Sequence, residues 1–161
     1  MNDTPEQDPR ADRIERAESV IQHHTLGAVG VGLLPIPGLD LAALVALQLN
    51  MLRAIGEVYE QPLVESLGRS LIASLVGGIA PLSSVSLLKT IPVIGTVIGS
   101  VSAPALTGAS TYALGRVFVL HFESGGTFLS LDPDQVRAHY EAEFARGRAA
   151  MREQVFRNIK P

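Results

Sequence analysis

Apolar residues recur every three or four positions from Ala11 onward, and charge thins out towards the middle of the chain. Ile14, Ala17, Val20, Ile21 and Leu26 share one stripe, with Arg13, Glu15, Arg16 and Glu18 mostly on other faces, which predicts a first helix. Leu26 to Leu34 is then apolar, with Gly27, Gly30 and Gly32, until Pro35-Ile36-Pro37-Gly38 stops the helix. Proline removes a backbone donor and restricts the residue before it. A second helix is expected from about Pro37–Asp40 to about Tyr59, and a third from Pro62 towards Leu88, interrupted or kinked at Pro81. The third carries a column of small residues at Ser66, Ser70, Ser74 and Gly78. Pro92 and Gly95 turn the chain into a fourth helix that stops at Gly125-Gly126. Asp132-Pro133-Asp134-Gln135 reads as a helix start, with an acidic cap, Pro at the first position and Gln at the third. The last helix aligns Val136, Tyr140, Phe144, Met151, Val155 and Ile159 on one side.

The pattern is all-α: two Pro/Gly-tipped apolar helical hairpins plus a C-terminal amphipathic helix. It divides into an acidic disordered tail over 1–10, an apolar hairpin domain over 11–126 and the final helix within 127–161. The tips PIPGLD and IPVIG sit at corresponding places and suggest a weak internal duplication.

Thr90 to Gly115 runs for 26 residues without a charge. Gly95, Gly99, Ala103, Thr107, Thr111 and Gly115 lie four apart and therefore form one column on a helix face. Such a column admits a second helix backbone at close range, and Ser70, Ser74 and Gly78 are the expected partners. Arg69 to Lys89 encloses 19 uncharged residues, so both segments reach the length that crosses ~30 Å of hydrocarbon. The apolar arm before Pro35 is about half as long and suits a re-entrant or shallow insertion. A buried bundle core is the alternative, since enclosed helices are also apolar all round.

Composition narrows the reading. The chain has 161 residues, 47% apolar and 5% aromatic, no Trp and no Cys. Mean hydropathy is +0.26, high for a soluble domain and modest for a many-times-spanning protein. A net charge of −3 argues against nucleic acid as a partner. Arg10, Arg13 and Arg16 precede the first hairpin, and Arg116 and six further basic residues follow the second. The positive-inside rule then places both termini in the cytoplasm, at the inner membrane.

The candidate residues favour structural roles. Pro35, Pro37 and Gly38 form one tip, and Pro92 with Gly95 the other, while Gly99 and Ala103 continue the packing column. Asp40 would cap the second helix and complement its dipole, although an intramembrane acid is a functional suspect. Gln48 and Asn50 supply possible polar contacts that fix helix register, or line a polar path. His23 and His24 point about 100° apart and lack a spaced acidic partner, so they read as interfacial and not as metal ligands. Gly27, Gly30 and Gly32 follow a helix and precede no Lys-Ser/Thr pair, so they are not a phosphate loop. The arginines of the last helix suggest anionic lipid, with Glu141, Glu143 and Glu153 diluting that field. No catalytic, cofactor-binding or metal-binding set can be assembled from spacing.

LLPIPGLDLAALVALQLNMLRAIGEVY, the IPVIG turn and TYALGRVFVLHFESGGTF together resemble the YcjF-type domain of unknown function. That resemblance covers about residues 14–150. It implies an α-helical, membrane-linked bacterial module without a known enzymatic role, found also behind small GTPase domains. No GxxxxGK[ST] occurs in this chain, so it lacks that GTPase. The expectation is a non-enzymatic, membrane-associated scaffold that assembles as a homo-oligomer on membrane lipid. The alternative is a soluble helical regulatory module working with a separate GTPase.

Overall fold

The computed structural model describes residues 8–33, 39–77 and 95–159. Among them run five helices and no strand: α1 (Pro9–Gly32), α2 (Leu39–Val58), α3 (Glu65–Val76), α4 (Gly95–Glu123) and α5 (Pro133–Ile159). The chain is all-α, as its periodicity predicts.

Local chemistry accounts for the ends of these helices. The Asp8 carboxylate accepts the Arg10 N–H at 3.0 Å, with Pro9 at the first position, so α1 begins inside the stretch read as a tail. Asp132 accepts the Asp134 N–H at 3.0 Å and the Gln135 side-chain amide at 2.9 Å, which bears out the start signal of α5. At the end of α4, Gly125 takes φ +84°, and the Gly125 and Gly126 N–H groups donate to Phe122 and His121 carbonyls, each at 2.9 Å. The end of α2 uses the same geometry with Glu60 at φ +56°, where no glycine announces it.

The long uncharged helix α4 is the axis of the bundle, and its main neighbours are α1 and α5. Helix α1 runs antiparallel to it. Arg10 reaches Glu123, Ile21 fills the space where Gly115 lacks a side chain, and Thr107 donates to the Ala28 carbonyl at 2.8 Å. The small-residue column is thus a close helix seam where its side chains are described. Its partner there is α1, while Gly78, Gly95 and Gly99 of the expected contact lie outside the residues whose side chains are described. Ser70 is exposed, and the Ser74 carbonyl accepts from Arg137 at 3.1 Å.

Helix α5 also runs antiparallel to α4. Glu143 lies near Arg116, Gly147 fits against Tyr112 and Ala109, and Met151 approaches Gly108. Tyr140 and Phe144 are buried and Met151 is half-buried, so the stripe as far as Met151 is covered by the chain's own body.

Arg13 lies over the Tyr59 ring at 5.3 Å, and Gly27 abuts Leu47, so α1 and α2 are antiparallel. Helix α3 passes from Leu49 of α2, opposite Gly68, to Arg137 of α5, opposite Ser74. It bridges these two helices. Pro35, Pro37, Gly38, Pro81 and Pro92 lie outside the described residues, as do both connecting tips.

Two glycines of α1 test the seam. A Cβ on Gly32 would meet the Thr107 hydroxyl at 2.5 Å and the Pro104 Cα at 2.7 Å, whereas a Cβ on Gly30 meets nothing within 4 Å. Gly32→Ala should therefore destabilise by about 1–3 kcal/mol through overpacking. Gly30→Ala should stabilise by about 0.5–1 kcal/mol, because alanine restricts the unfolded chain and favours helix. Denaturant melts of the two variants should shift in opposite directions.

Candidate functional surface

The sequence-singled polar residues separate in the structure. Gln48 is fully buried, and its amide donates to the Ser110 hydroxyl at 3.3 Å and the Thr111 hydroxyl at 3.2 Å. It ties α2 to α4. Asn50, two positions on, is exposed. The two do not form a polar path. Asp40 falls in the first turn of α2. Gly95 and Gly99 fall in the opening turns of α4, and Ala103 is half-buried beyond them.

Histidine chemistry is spent locally. Nδ1 of His23 faces the Ser19 carbonyl at 2.7 Å, and Nδ1 of His24 faces the Val20 carbonyl at 2.8 Å. A carbonyl only accepts, so each Nδ1 carries the hydrogen. His121 Nε2 lies 2.9 Å from the Thr127 carbonyl and 3.1 Å from the Ser130 hydroxyl. By the same reasoning that nitrogen is a donor, so His121 clamps the α4–α5 loop and is not a base for Ser130. No group of three or more His, Asp or Glu side chains that could hold a metal occurs among the described residues.

Two carboxylates are drawn into the bundle: Glu143, expected to be exposed, and Glu123, which carried no expectation. Glu143 is 2% exposed, paired with Arg146 at 2.7 Å, with Arg116 Nε 3.9 Å away. Arg116 in turn pairs with Glu18 of α1, so one chain of charges links α1, α4 and α5. The spacing Tyr140, Glu143, Phe144, Gly147 places Glu143 on the inward face, a signal that its charge had masked. Glu123, its side chain 8% exposed, binds Arg10 at 2.7 Å and Arg13 at 3.2 Å. Burial opposes the charge on Glu123, but hydrogen bonds from both arginines outweigh it and hold the carboxyl below its ordinary value. Burial, together with this carboxylate, pushes the neighbouring Tyr59 phenol up to about 12.

The surface with an unexplained composition lies at the opposite end. Along α1 the exposed residues read Asp12, Glu15, Arg16, Ser19, Gln22 and His23, and then Leu26, Gly27, Gly30 and Leu33. Along α2 they read Leu41, Ala42 and Ala46, and then Asn50, Arg53 and Glu57. Because the two helices are antiparallel, both exposed faces turn apolar at the same end. Leu26, Leu33 and Leu41 are each more than 60% exposed there. Residues 34–38 and 78–94 contain only Lys89 as a charge.

Leu41–Val58 is long and apolar enough to cross a membrane, with mean hydropathy 1.4. Its outward face carries Asn50, Arg53 and Glu57, so in this fold only its first half presents an apolar surface. The described part of the uncharged α4 is enclosed: Leu106, Ala109, Ser110, Thr111, Ala113 and Leu114 are all buried. That portion follows the buried-core reading and does not form a lipid-facing span.

A family model described as a domain of unknown function, DUF697, matches residues 2–141. The chain belongs to this family. Magnetosome membrane protein 22 of Magnetospirillum gryphiswaldense is 44% identical to this DUF697 chain over 149 residues, which covers 88% of the chain and 76% of that protein. No solved structure matches the DUF697 chain.

The Glu123 cluster predicts a pH dependence. A depressed folded-state value gives stability that is complete above the unfolded value, near 4.5, and disappears as pH falls through the folded one. Glu123→Gln should melt below the wild type at neutral pH, and the two curves should converge in acid. A constant difference between them down to strongly acidic pH would contradict this assignment.

Proposed function

We propose that this DUF697 chain is a non-enzymatic, membrane-associated helical scaffold that docks on a bilayer by the apolar end of its bundle. The observation carrying this reading is the coincident loss of polarity on the exposed faces of α1 and α2. Soluble surfaces tolerate single exposed leucines, but contiguous apolar ends of antiparallel neighbours mark a contact surface. The name of the magnetosome membrane relative supports lipid as what covers that end.

The bundle body keeps its own core and stays on one side of the membrane. Both ends of the chain then remain on that side, the cytoplasmic face of the inner membrane. This differs from the multiple spans that the uncharged segments allow by length. A second copy could cover the same leucines, and assembly at the surface would make the protein a scaffold. The enclosed α4 favours, as a second reading, a soluble module acting with a separate GTPase.

Flotation of the purified protein with vesicles separates these readings. Wild type should float, and Leu26→Ser/Leu33→Ser/Leu41→Ser should remain at the bottom with an unchanged melting temperature. Full burial of a leucine is worth about 1.5–3 kcal/mol, so losing three partly inserted ones should reduce partitioning by about 100-fold or more. Wild-type protein that stays at the bottom with all vesicles, monomeric by light scattering, would overturn the membrane reading and leave the soluble module.

A further inference from the structure

The charges of the bundle are sorted along its axis. The contacts of Ile21 with Gly115, Gly27 with Leu47 and Gly108 with Met151 set the helices level with one another. On the leucine side of that alignment lie residues 24–33, 39–52, 103–112 and 146–153. They hold three arginines, Arg146, Arg148 and Arg152, and two acids, Asp40 and Glu153. On the other side lie 8–23, 53–60, 113–123 and 132–145, where eleven carboxylates face six arginines. Among these residues the leucine end carries a slight excess of arginine, and the far end a large excess of acid.

The arginines are placed to be used. Arg146 is engaged by the buried Glu143, but Arg148 and Arg152 are exposed, one turn apart on the same side of α5. Met151 between them approaches Gly108, which Val29 of α1 also contacts, so this stretch of α5 lies beside the apolar end of α1. Glu143 no longer dilutes these two charges at the surface, because it is inside the bundle.

We infer that the occupant of the apolar end is specifically an anionic bilayer surface, with Arg148 and Arg152 on the headgroups while Leu26, Leu33 and Leu41 enter the interface. This rests on the membrane reading above and adds a lipid class and an orientation. Basic residues beside an apolar insertion are drawn to anionic headgroups. The acidic far end is repelled by the same field, so attraction and repulsion both select the leucine-first orientation.

The test compares flotation with phosphatidylcholine vesicles and with vesicles containing phosphatidylglycerol. Wild type should prefer the anionic vesicles, increasingly so as salt is lowered. Arg148→Gln/Arg152→Gln should bind them about 25-fold more weakly, since each arginine near such a surface contributes roughly fivefold. Arg16→Gln/Arg53→Gln removes the same charge at the acidic end and should leave binding within about twofold. Both doubles change exposed residues, and matching melting temperatures would exclude misfolding.

Equal flotation with neutral and anionic vesicles, or equal loss in the two doubles, would overturn the inference while the membrane reading survives. Flotation with neither vesicle would remove both. Retention on single-stranded DNA as firm as on anionic vesicles would also overturn it, by showing a general polyanion surface.

Discussion

The close approach of α1 to α4 is the constraint on which the remaining structure depends. Helix α4 has too little polar surface along its middle to face water, so it has to be enclosed. Large side chains facing one another would hold the two axes apart. Gly32 beside Pro104, Ala28 beside Thr107 and Gly115 beside Ile21 remove that obstacle along the length of α1. Close backbones also bring a carbonyl within reach of the Thr107 hydroxyl, giving this seam an interhelical hydrogen bond besides its van der Waals contact. With α1 fixed, α2 and α5 occupy the remaining sides of α4, and α3 closes the gap between them.

Polar groups inside this core hold its register. Gln48 meets Ser110 and Thr111 on α4, and Tyr140 reaches towards the Ser110 carbonyl at 3.5 Å. Sliding α2 along α4 by a turn would strand the Gln48 amide in an apolar environment, at a cost of about 1–3 kcal/mol. At the acidic end, Tyr59, Phe118, Phe122 and Phe128 pack as an aromatic cluster, with the Phe122 and Phe128 rings 4.9 Å apart and nearly perpendicular. Arg10 and Arg13 close that cluster over Glu123. One end of the molecule is thus sealed by aromatics and ion pairs. The other presents leucine to its surroundings.

Helix positions were largely legible because their signals are local. The Asp132 cap, the Gly125-Gly126 stop and the 3.6-residue periodicity require only neighbouring residues. The Gln48 register contact was legible too, since an amide in an apolar helix needs partners. The identity of the partner across the α4 column was not. Glycine, alanine, serine and threonine admit a close neighbour without specifying which one, and α1 offered Gly27, Gly30 and Gly32 as readily as α3 offered serines. Glu143 was misplaced because a charge outweighs a periodic position unless its arginines are known to converge. The apolar end was legible only in halves: each helix shows its own switch, and the antiparallel contact of Gly27 with Leu47 brings the two switches together.

The direction of α1 relative to α5 bears on how further domains attach. These helices run parallel, so the polypeptide enters the bundle at the acidic end and leaves α5 towards the leucine end. Under the proposed docking, a folded domain joined ahead of α1 would be held out from the bilayer by the full height of the bundle. The same domain joined after α5 would be brought against the headgroups and would compete with the leucines for the surface. Under that same docking, an architecture that places a nucleotide hydrolase before this module, as the resemblance to fused relatives implies, would give the hydrolase a pedestal and leave the lipid contact free.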